Sequence, residues 1–490
     1  MPSPDLDPAL LERLGELSDL RHAGQVLAWD QQVMMPPTGA AARGEALGTI
    51  RRIHHDRLVD PALGALLDAA ADAEPLIARA VRRDHDVERR VPGDLAAEIS
   101  RAGSDGYTAW LAAREANDYG VFEPALRRNI ELARRYAACF PELAHPYDAL
   151  LDRYEPGATT AQVSDLFARL REGLVPLLSQ IAMLPAPHAL AGSFPVARQR
   201  EIGLEIIEAM GFEPAGWRLD DAVHPFAAAP SATDVRVTAR FDDDGLAGLF
   251  ALLHEVGHGL YEHGVDPALT RTTLDTGVSL GVHESQSRLW ENLVGRGAAF
   301  WTHWLPRLRD RFPLSLRDVE LDAFIRAINV VRPTLIRVEA DEVTYSLHVI
   351  LRFELELALI DGSLDVADLP AAWAAKMKQS LGIDVPDDLR GVLQDIHWSE
   401  GIIGYFPTYA IGNVLAAQLW QVARADIPDL DEELARGELA ALRVWLRETI
   451  HRHGRLLTPG ELIEQAVGGP LDPAPMLAHL RAKYGALYAL

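Results

Sequence analysis

LLHEVGHGL, residues 252–260, is the stretch from which the rest of the chain is read. Leu252, Leu253, Val256 and Leu260 are apolar at near-helical spacing, which predicts a helix. On that helix His254 and His258 lie one turn apart and about 40° around the axis, so both imidazoles can reach one small cation. Zinc takes imidazole nitrogens at about 2.0–2.1 Å in a tetrahedron, and a catalytic zinc keeps one position open for water. Glu255, beside the first histidine, is placed to take a proton from that water. The chemistry implied is metal-assisted hydrolysis, most often of peptides. The plainer alternative is a polar helix face with two satisfied histidines. Gly257 and Gly259 argue against it. Each costs about 1 kcal/mol in a helix interior relative to alanine. A helix that carries both needs another segment or a ligand close to its backbone.

A third ligand decides the class. One familiar extension of the motif needs glycine three residues, and histidine six residues, after His258; here those positions are Tyr261 and Gly264. His263 lies about 140° round the helix from His258 and points away. Glu262 is on the correct face, one turn further along the same helix. The better candidate is Glu284, in GVHESQSRLWENLVGR at 281–296. That segment has a second helical pattern, with Leu289, Trp290 and Leu293 apolar and Arg288, Glu291 and Arg296 polar. Two histidines and a glutamate around zinc leave a net positive site that polarises a carbonyl. Without the upstream motif, Glu284 would read as an acid favoured by the dipole at a helix start.

The 490 residues can bury a large core, and we expect one domain over 1–490. LPAPHALAGSFP (184–195) is the best candidate for an internal boundary. Amphipathic helical runs occupy 5–20, 75–90, 106–138, 161–182, 316–330 and 432–452. DVRVTARF (234–241) alternates as a strand and ends at the turn signal DDDG. The expectation is a mostly α protein with a small sheet at the site. Lys and Arg number 47 against 71 Asp and Glu, a net charge of −24. That disfavours nucleic acid and anionic membrane as partners. The single Cys139 excludes an intrachain disulfide and fits a reducing compartment. We find no signal-peptide pattern and no apolar run long enough to span a membrane, so a cytoplasmic location is expected.

Six further motifs accompany HEVGH: WDQQVMMP (29–36), HPF (224–226), Asp234, Arg236 and Thr238 as DxRxT, HESQ (283–286), Ile336, Arg337, Ala340 and Asp341 as IRxxAD, and GVLQDIHW (391–398) as GxxQDxHW. With these the chain resembles the carboxypeptidase Taq family, metallocarboxypeptidases of the HExxH-plus-glutamate class, along nearly its whole length. The resemblance implies a saddle of helices with a deep central groove and a small sheet beside the metal. It implies release of single residues from peptide C-termini with broad side-chain tolerance, a homodimer, and one divalent metal per chain. Zinc is expected, with cobalt or manganese as alternatives.

Roles follow from motif and chemistry together. His254, His258 and Glu284 are the expected metal ligands, and Glu255 the proton-transfer residue. Arg337 is the candidate for docking the substrate's terminal carboxylate, because a guanidinium pairs with it bidentately. Its alternative is a helical pair with Asp341 at i+4. HWSEGIIGYFPTY (397–409) reads as a glycine-containing loop able to close on substrate. From it His397 and Tyr405 are candidate donors to a developing oxyanion, and Tyr409 a substrate contact; aromatic packing is the alternative for each tyrosine. His224 either lines the groove or packs. Asp234 and Arg236 are expected to hold strand to helix, and His283 to stand behind a ligand. Competing readings are a dipeptide-releasing carboxypeptidase or oligopeptidase of the same chemistry, and a helical peptide-binding scaffold without catalysis.

Overall fold

Val235, Val237 and Ala239 are each fully buried, and the strand they form is the centre of the only sheet among the described residues. The structure, a computed structural model, describes residues 7–72 and 75–490. Strands β1 (Trp217–Asp221), β2 (Ala227–Ser231) and β3 (Asp234–Ala239) lie in the order β1-β3-β2. β1 runs parallel to β3 with Trp217 opposite Val235, and β2 runs antiparallel with Ala227 opposite Val237. β1 and β2 carry little alternation. Pro230 is tolerated in β2 because that strand is an edge.

Helices make up most of the remainder. The run expected at 75–90 is the helix Pro75–Arg90, and that at 161–182 is Thr160–Ile181. The first run corresponds to Pro8–Val33; its residues 5 and 6 lie outside the described residues. The run 106–138 is broken at Asn117, which adopts a left-handed φ of 50° and caps Gly93–Ala116 before Glu123–Ala137 begins. The run 432–452 is likewise broken at Gly437, φ 80°. The run 316–330 divides into Pro313–Leu316 and Leu321–Ile328. The segment 184–195 is not helical, yet Phe194 is fully buried and its N–H donates to the Asp243 carbonyl. The helices on either side of this segment feed the same apolar core through Leu174, Ile181, Ile202 and Ile206. No described helix is long and apolar enough to cross a membrane.

The turn 242–245 leads into the helix Ala247–His263, which carries HEVGH. Its two glycines stand where the expectation of close approach requires. A Cβ on Gly259 would meet the Trp217 ring at 2.6 Å and Val235 at 2.9 Å, so this flank presses on the sheet. A Cβ on Gly257 would stand 2.7 Å from the Ser287 Cα and 2.8 Å from the Gln286 carbonyl oxygen. That flank meets the backbone of the helix Leu280–Arg288, which carries HESQ. The second helix continues into a π-wound turn over Leu289–Val294, where the Gly295 N–H reaches the Trp290 carbonyl.

Two apolar cores form. The larger takes in Leu252, Leu253, Val256 and Leu260 of the HEVGH helix. The smaller joins Leu10, Leu14, Leu17, Leu63, Leu67 and Val81 to Val265, Leu269 and Leu274. An open cavity of about 960 Å³ lies beside both, with Trp29, Leu58 and Val87 on one side and Tyr154, Phe226, His258 and His283 on the other. The groove expected from the resemblance is present, and the sheet lies beside it.

Candidate metal centre

His254, His258 and Glu284 converge, each with one ligand atom within 4.8 Å of the others. His254 Nε2 is 3.5 Å, and His258 Nε2 3.4 Å, from the same Glu284 Oε2. Ligands at about 2.05 Å around a tetrahedral ion stand about 3.3–3.4 Å apart. The donor set, two imidazoles and a carboxylate, therefore fits one divalent cation in both chemistry and spacing.

Each imidazole is held from behind. His254 Nδ1 is 2.9 Å from Glu291 Oε2 and donates to it, which leaves the Nε2 lone pair for an ion. His258 Nδ1 is 2.6 Å from His283 Nδ1, and His283 Nε2 is 2.8 Å from Glu262 Oε1. With His283 donating to Glu262, its Nδ1 accepts from His258, and the His258 Nε2 is again free. His283 thus hydrogen-bonds His258, one of the candidate ligands. Glu262, weighed in the sequence as a ligand, instead holds His283, Thr276 and the Gly277 N–H.

Burial opposes charge on Glu284, but Arg288 and the two histidines outweigh it and hold the carboxyl well below its usual range. Arg288 Nε donates to Glu284 Oε1 at 2.7 Å, and Ser287 Oγ donates to Oε2 at 3.1 Å. Glu291, half-buried, is penalised by desolvation but brought to about 2 by Arg288 and His254. Burial brings His258 down to about 4 and so keeps it neutral. His254 is also penalised by burial, but Glu284 and Glu291 outweigh this and raise its pKa. Glu255 is buried, lies off the ligand set, and is lifted by burial to about 7.

Arg337 is not helical and does not pair with Asp341. It opens a short 3-10 turn, and Asp341 instead accepts from the backbone of Arg332, Val343 and Thr344. The Arg337 guanidinium is 6% exposed and binds Asp395, with Nε at 2.9 Å, while Nη1 donates to the Tyr345 hydroxyl at 2.9 Å. Asp395 is shared with the fully buried Arg352. The segment 397–406 is irregular, with Gly401 and Gly404 at φ 71° and 92°. Tyr409, expected in that loop, lies in the first turn of the helix Pro407–Asp426, because Pro407 starts it. His397 Nε2 is 3.1 Å from the Tyr409 hydroxyl, and its Nδ1 is buried without a partner. Tyr405 packs against His397, Tyr409 and Tyr154 at centroid distances of 5.2, 5.3 and 5.1 Å. His224 is exposed on the β1–β2 connection; Phe226, two residues on, lines the cavity. Arg236 clamps Asp234 through two bonds of 2.8 and 2.7 Å and stacks on Trp29, so the pair ties β3 to the Pro8–Val33 helix rather than to the HEVGH helix.

Glu291 and Arg288 escaped the sequence reading as parts of the centre. Arg288 at i+4 and Glu291 at i+7 from Glu284 share one helix face with it, which was the available signal. Asp395, Tyr345 and Tyr154 carry no such local signal.

The family model for the carboxypeptidase Taq (M32) metallopeptidases matches residues 9–484. The chain is 42% identical to thermostable carboxypeptidase 1 of Thermus thermophilus and 37% identical to carboxypeptidase 1 of Bacillus subtilis, with 98% of each chain covered in both pairings. Its structure superposes on the M32 carboxypeptidase of Deinococcus radiodurans with a TM-score of 0.96 at 42% identity, covering 98% of this chain and 99% of the other. The Pyrococcus furiosus carboxypeptidase gives 0.95 at 36% identity over the same shares. M32 metallopeptidases use a divalent metal, and the His-His-Glu cluster is where such an ion fits this chain. The chain belongs to the carboxypeptidase Taq (M32) family and is a metal-dependent carboxypeptidase, a peptide hydrolase.

Proposed function

We propose that the protein removes residues one at a time from the C-terminal end of peptides, with broad side-chain tolerance, and that Glu255 carries the proton. The observation behind this is the triangle of His254, His258 and Glu284 at tetrahedral spacing, with buried Glu255 on the same helix and His258 facing the cavity. These three residues hold one divalent ion, zinc first, with cobalt or manganese as substitutes. When bound, the ion supplies Lewis acidity toward the scissile carbonyl. Glu255 takes the proton of the attacking water and returns it to the leaving amine. His397, Tyr405 and Tyr409 form an aromatic group whose hydroxyl and imidazole protons are available to a developing oxyanion. Arg337 binds beneath Tyr409 and has further N–H groups for a carboxylate. His224 is assigned a contact at the rim beyond Phe226.

The reading includes a homodimer in the cytoplasm, with peptides rather than nucleic acid or membrane as partners. A net charge of −24 and the single cysteine support it. A mass-spectrometric time course on one peptide, free and C-terminally amidated, tests the function. A ladder losing one residue at a time, abolished by amidation, is expected. Losses of two residues would select the dipeptide-releasing alternative, internal cuts the oligopeptidase, and no cleavage by metal-loaded protein the scaffold. Emission spectroscopy on the purified protein identifies the metal.

A further inference from the structure

The charged side chains that line the cavity are almost all neutralised. Arg83 binds Asp152 and Asp84, and Arg455 binds Asp84 at 2.9 Å. Glu88 faces His55 at 3.2 Å, and Glu262 is taken by His283, Thr276 and Gly277. Arg153 is the exception. It is exposed into the same cavity and, among the described residues, has no ion pair and no hydrogen bond. Its guanidinium instead lies between two rings, 5.1 Å from the Tyr136 centroid and 5.4 Å from that of Tyr154. Rings on its faces hold the plane and leave the N–H edge open.

The backbone beneath it is tied to the metal centre. The Tyr154 carbonyl accepts from the Leu280 N–H at 3.0 Å, and Glu155 Oε2 accepts from the Gly281 N–H at 2.8 Å. Both bonds cap the helix that carries Glu284. On the other side, Asp152 Oδ1 accepts from the Gly157 N–H, and the Asp152 carbonyl accepts from Arg83. Arg153 is thus mounted at a fixed offset from Glu284, whose position is four residues, or about 6 Å of helix rise, beyond Leu280. Arg153 and His258 of the triad line the same cavity, so an extended peptide lying in it passes both.

We propose that Arg153 docks a carboxylate of the peptide substrate and so sets which peptides this enzyme prefers. The assignment rests on the peptidase reading above and adds a carboxylate-reading residue to Arg337; a chain-end result below would move that role from Arg337 to Arg153. Two sources share the chemistry, the chain end and an acidic side chain.

The test uses Arg153→Gln and Arg153→Lys with four peptides of one length, free or amidated at the end and with Glu or Gln near the scissile bond. Binding of fluorescent versions to chelator-treated protein is read by anisotropy, and kcat and KM are read on the metal-loaded enzyme. Losing one charge-assisted contact predicts about tenfold weaker binding and a KM raised alike for Arg153→Gln, with kcat within about twofold of the parent. Arg153→Lys should recover part of the loss, because an ammonium keeps the charge without the fork. A loss on both free-ended peptides and neither amidated one assigns the chain end. A loss confined to the Glu peptides assigns an acidic side chain. Parental binding of all four by Arg153→Gln, with parental kcat and KM on the two free-ended peptides, would overturn the proposal. So would an equal loss on all four, since the amidated Gln peptide offers no carboxylate at these positions. Failure of the peptidase reading looks different: the parent itself would leave the free-ended peptides intact.

Discussion

Gly257→Ala should weaken metal binding without altering any of the candidate ligand residues. The new Cβ would meet the Ser287 Cα at 2.7 Å and the Gln286 carbonyl oxygen at 2.8 Å, and neither backbone atom can rotate away. Comfortable contact is about 3.5–4.0 Å, so the HEVGH and HESQ helices must part by about 0.7–1 Å. Overpacking of this kind costs about 1–3 kcal/mol. Alanine's helical preference returns about 1 kcal/mol of it, so the protein stays folded. The displaced helix carries Glu284, whose Oε2 stands 3.4 and 3.5 Å from the two imidazoles. Widening those gaps by such a step leaves one ligand too far from an ion that the other two hold. We expect the metal dissociation constant to rise by about 10–100-fold, the range seen when the supports of metal ligands are disturbed. Competition against a chromophoric chelator measures it, with far-ultraviolet circular dichroism as the check on folding. Gly259→Ala is the control. Its Cβ presses on the Trp217 ring and Val235, so it should destabilise the protein without weakening the metal. A Gly257→Ala protein that holds metal with parental affinity would refute the argument that backbone contact sets ligand spacing.

Glu255→Gln should retain metal and lose at least about a hundredfold in kcat, the low end for proton-transfer groups; parental turnover would remove Glu255 from the chemistry. Glu356 accepts from Tyr147, Trp398 and the Gly404 N–H, yet burial lifts its pKa to about 7. Because the folded state binds this proton more tightly than the unfolded chain, its stabilising contribution is full below about 4.5 and lost as pH rises toward 7. Between pH 5 and 8 the urea midpoint of the parent should therefore fall relative to that of Glu356→Gln, and a pH-independent difference would count against the shift. Arg337→Ala leaves Asp395 buried with Arg352 alone, so we expect a loss of about 3–5 kcal/mol in unfolding free energy, measurable by denaturant titration. A loss under about 1 kcal/mol would show that Arg337 is not part of that buried network.

The metal triad could be seen in the sequence because its logic is local. His254 and His258 are one turn apart, and Gly257 and Gly259 advertise contacts that the structure supplies from Ser287 and Trp217. Glu284 needed only a second amphipathic pattern. What lay beyond reach was pairing across sequence. Arg337 meets Asp395 from 58 residues away, and Tyr154 meets Leu280 from further still. A near neighbour, Asp341, was the natural partner to expect for Arg337 until its backbone contacts were visible. β1 and β2 were silent because a five-residue edge strand such as AAAPS has no alternation to read. The opposite error occurred at Asn117 and Gly437, where apolar periodicity continued across a left-handed residue that ends a helix.

The seam between the helices Pro8–Val33 and Pro75–Arg90 and the body that holds the metal combines the smaller apolar core with a row of ion pairs. Arg83 crosses to Asp152, Arg455 to Asp84 and Arg271 to Asp19. Arg79 reaches Glu461, and Arg21 reaches Asp275. Screening falls to about 8 Å at physiological ionic strength and tightens further as salt is added. Partly exposed pairs of this kind contribute about 0–1 kcal/mol each and weaken under those conditions, whereas an apolar core does not. Salt therefore acts on one wall of the groove and not on the spacing of His254, His258 and Glu284. Added salt should therefore weaken the ionic part of this seam, while its apolar part and the spacing of His254, His258 and Glu284 persist.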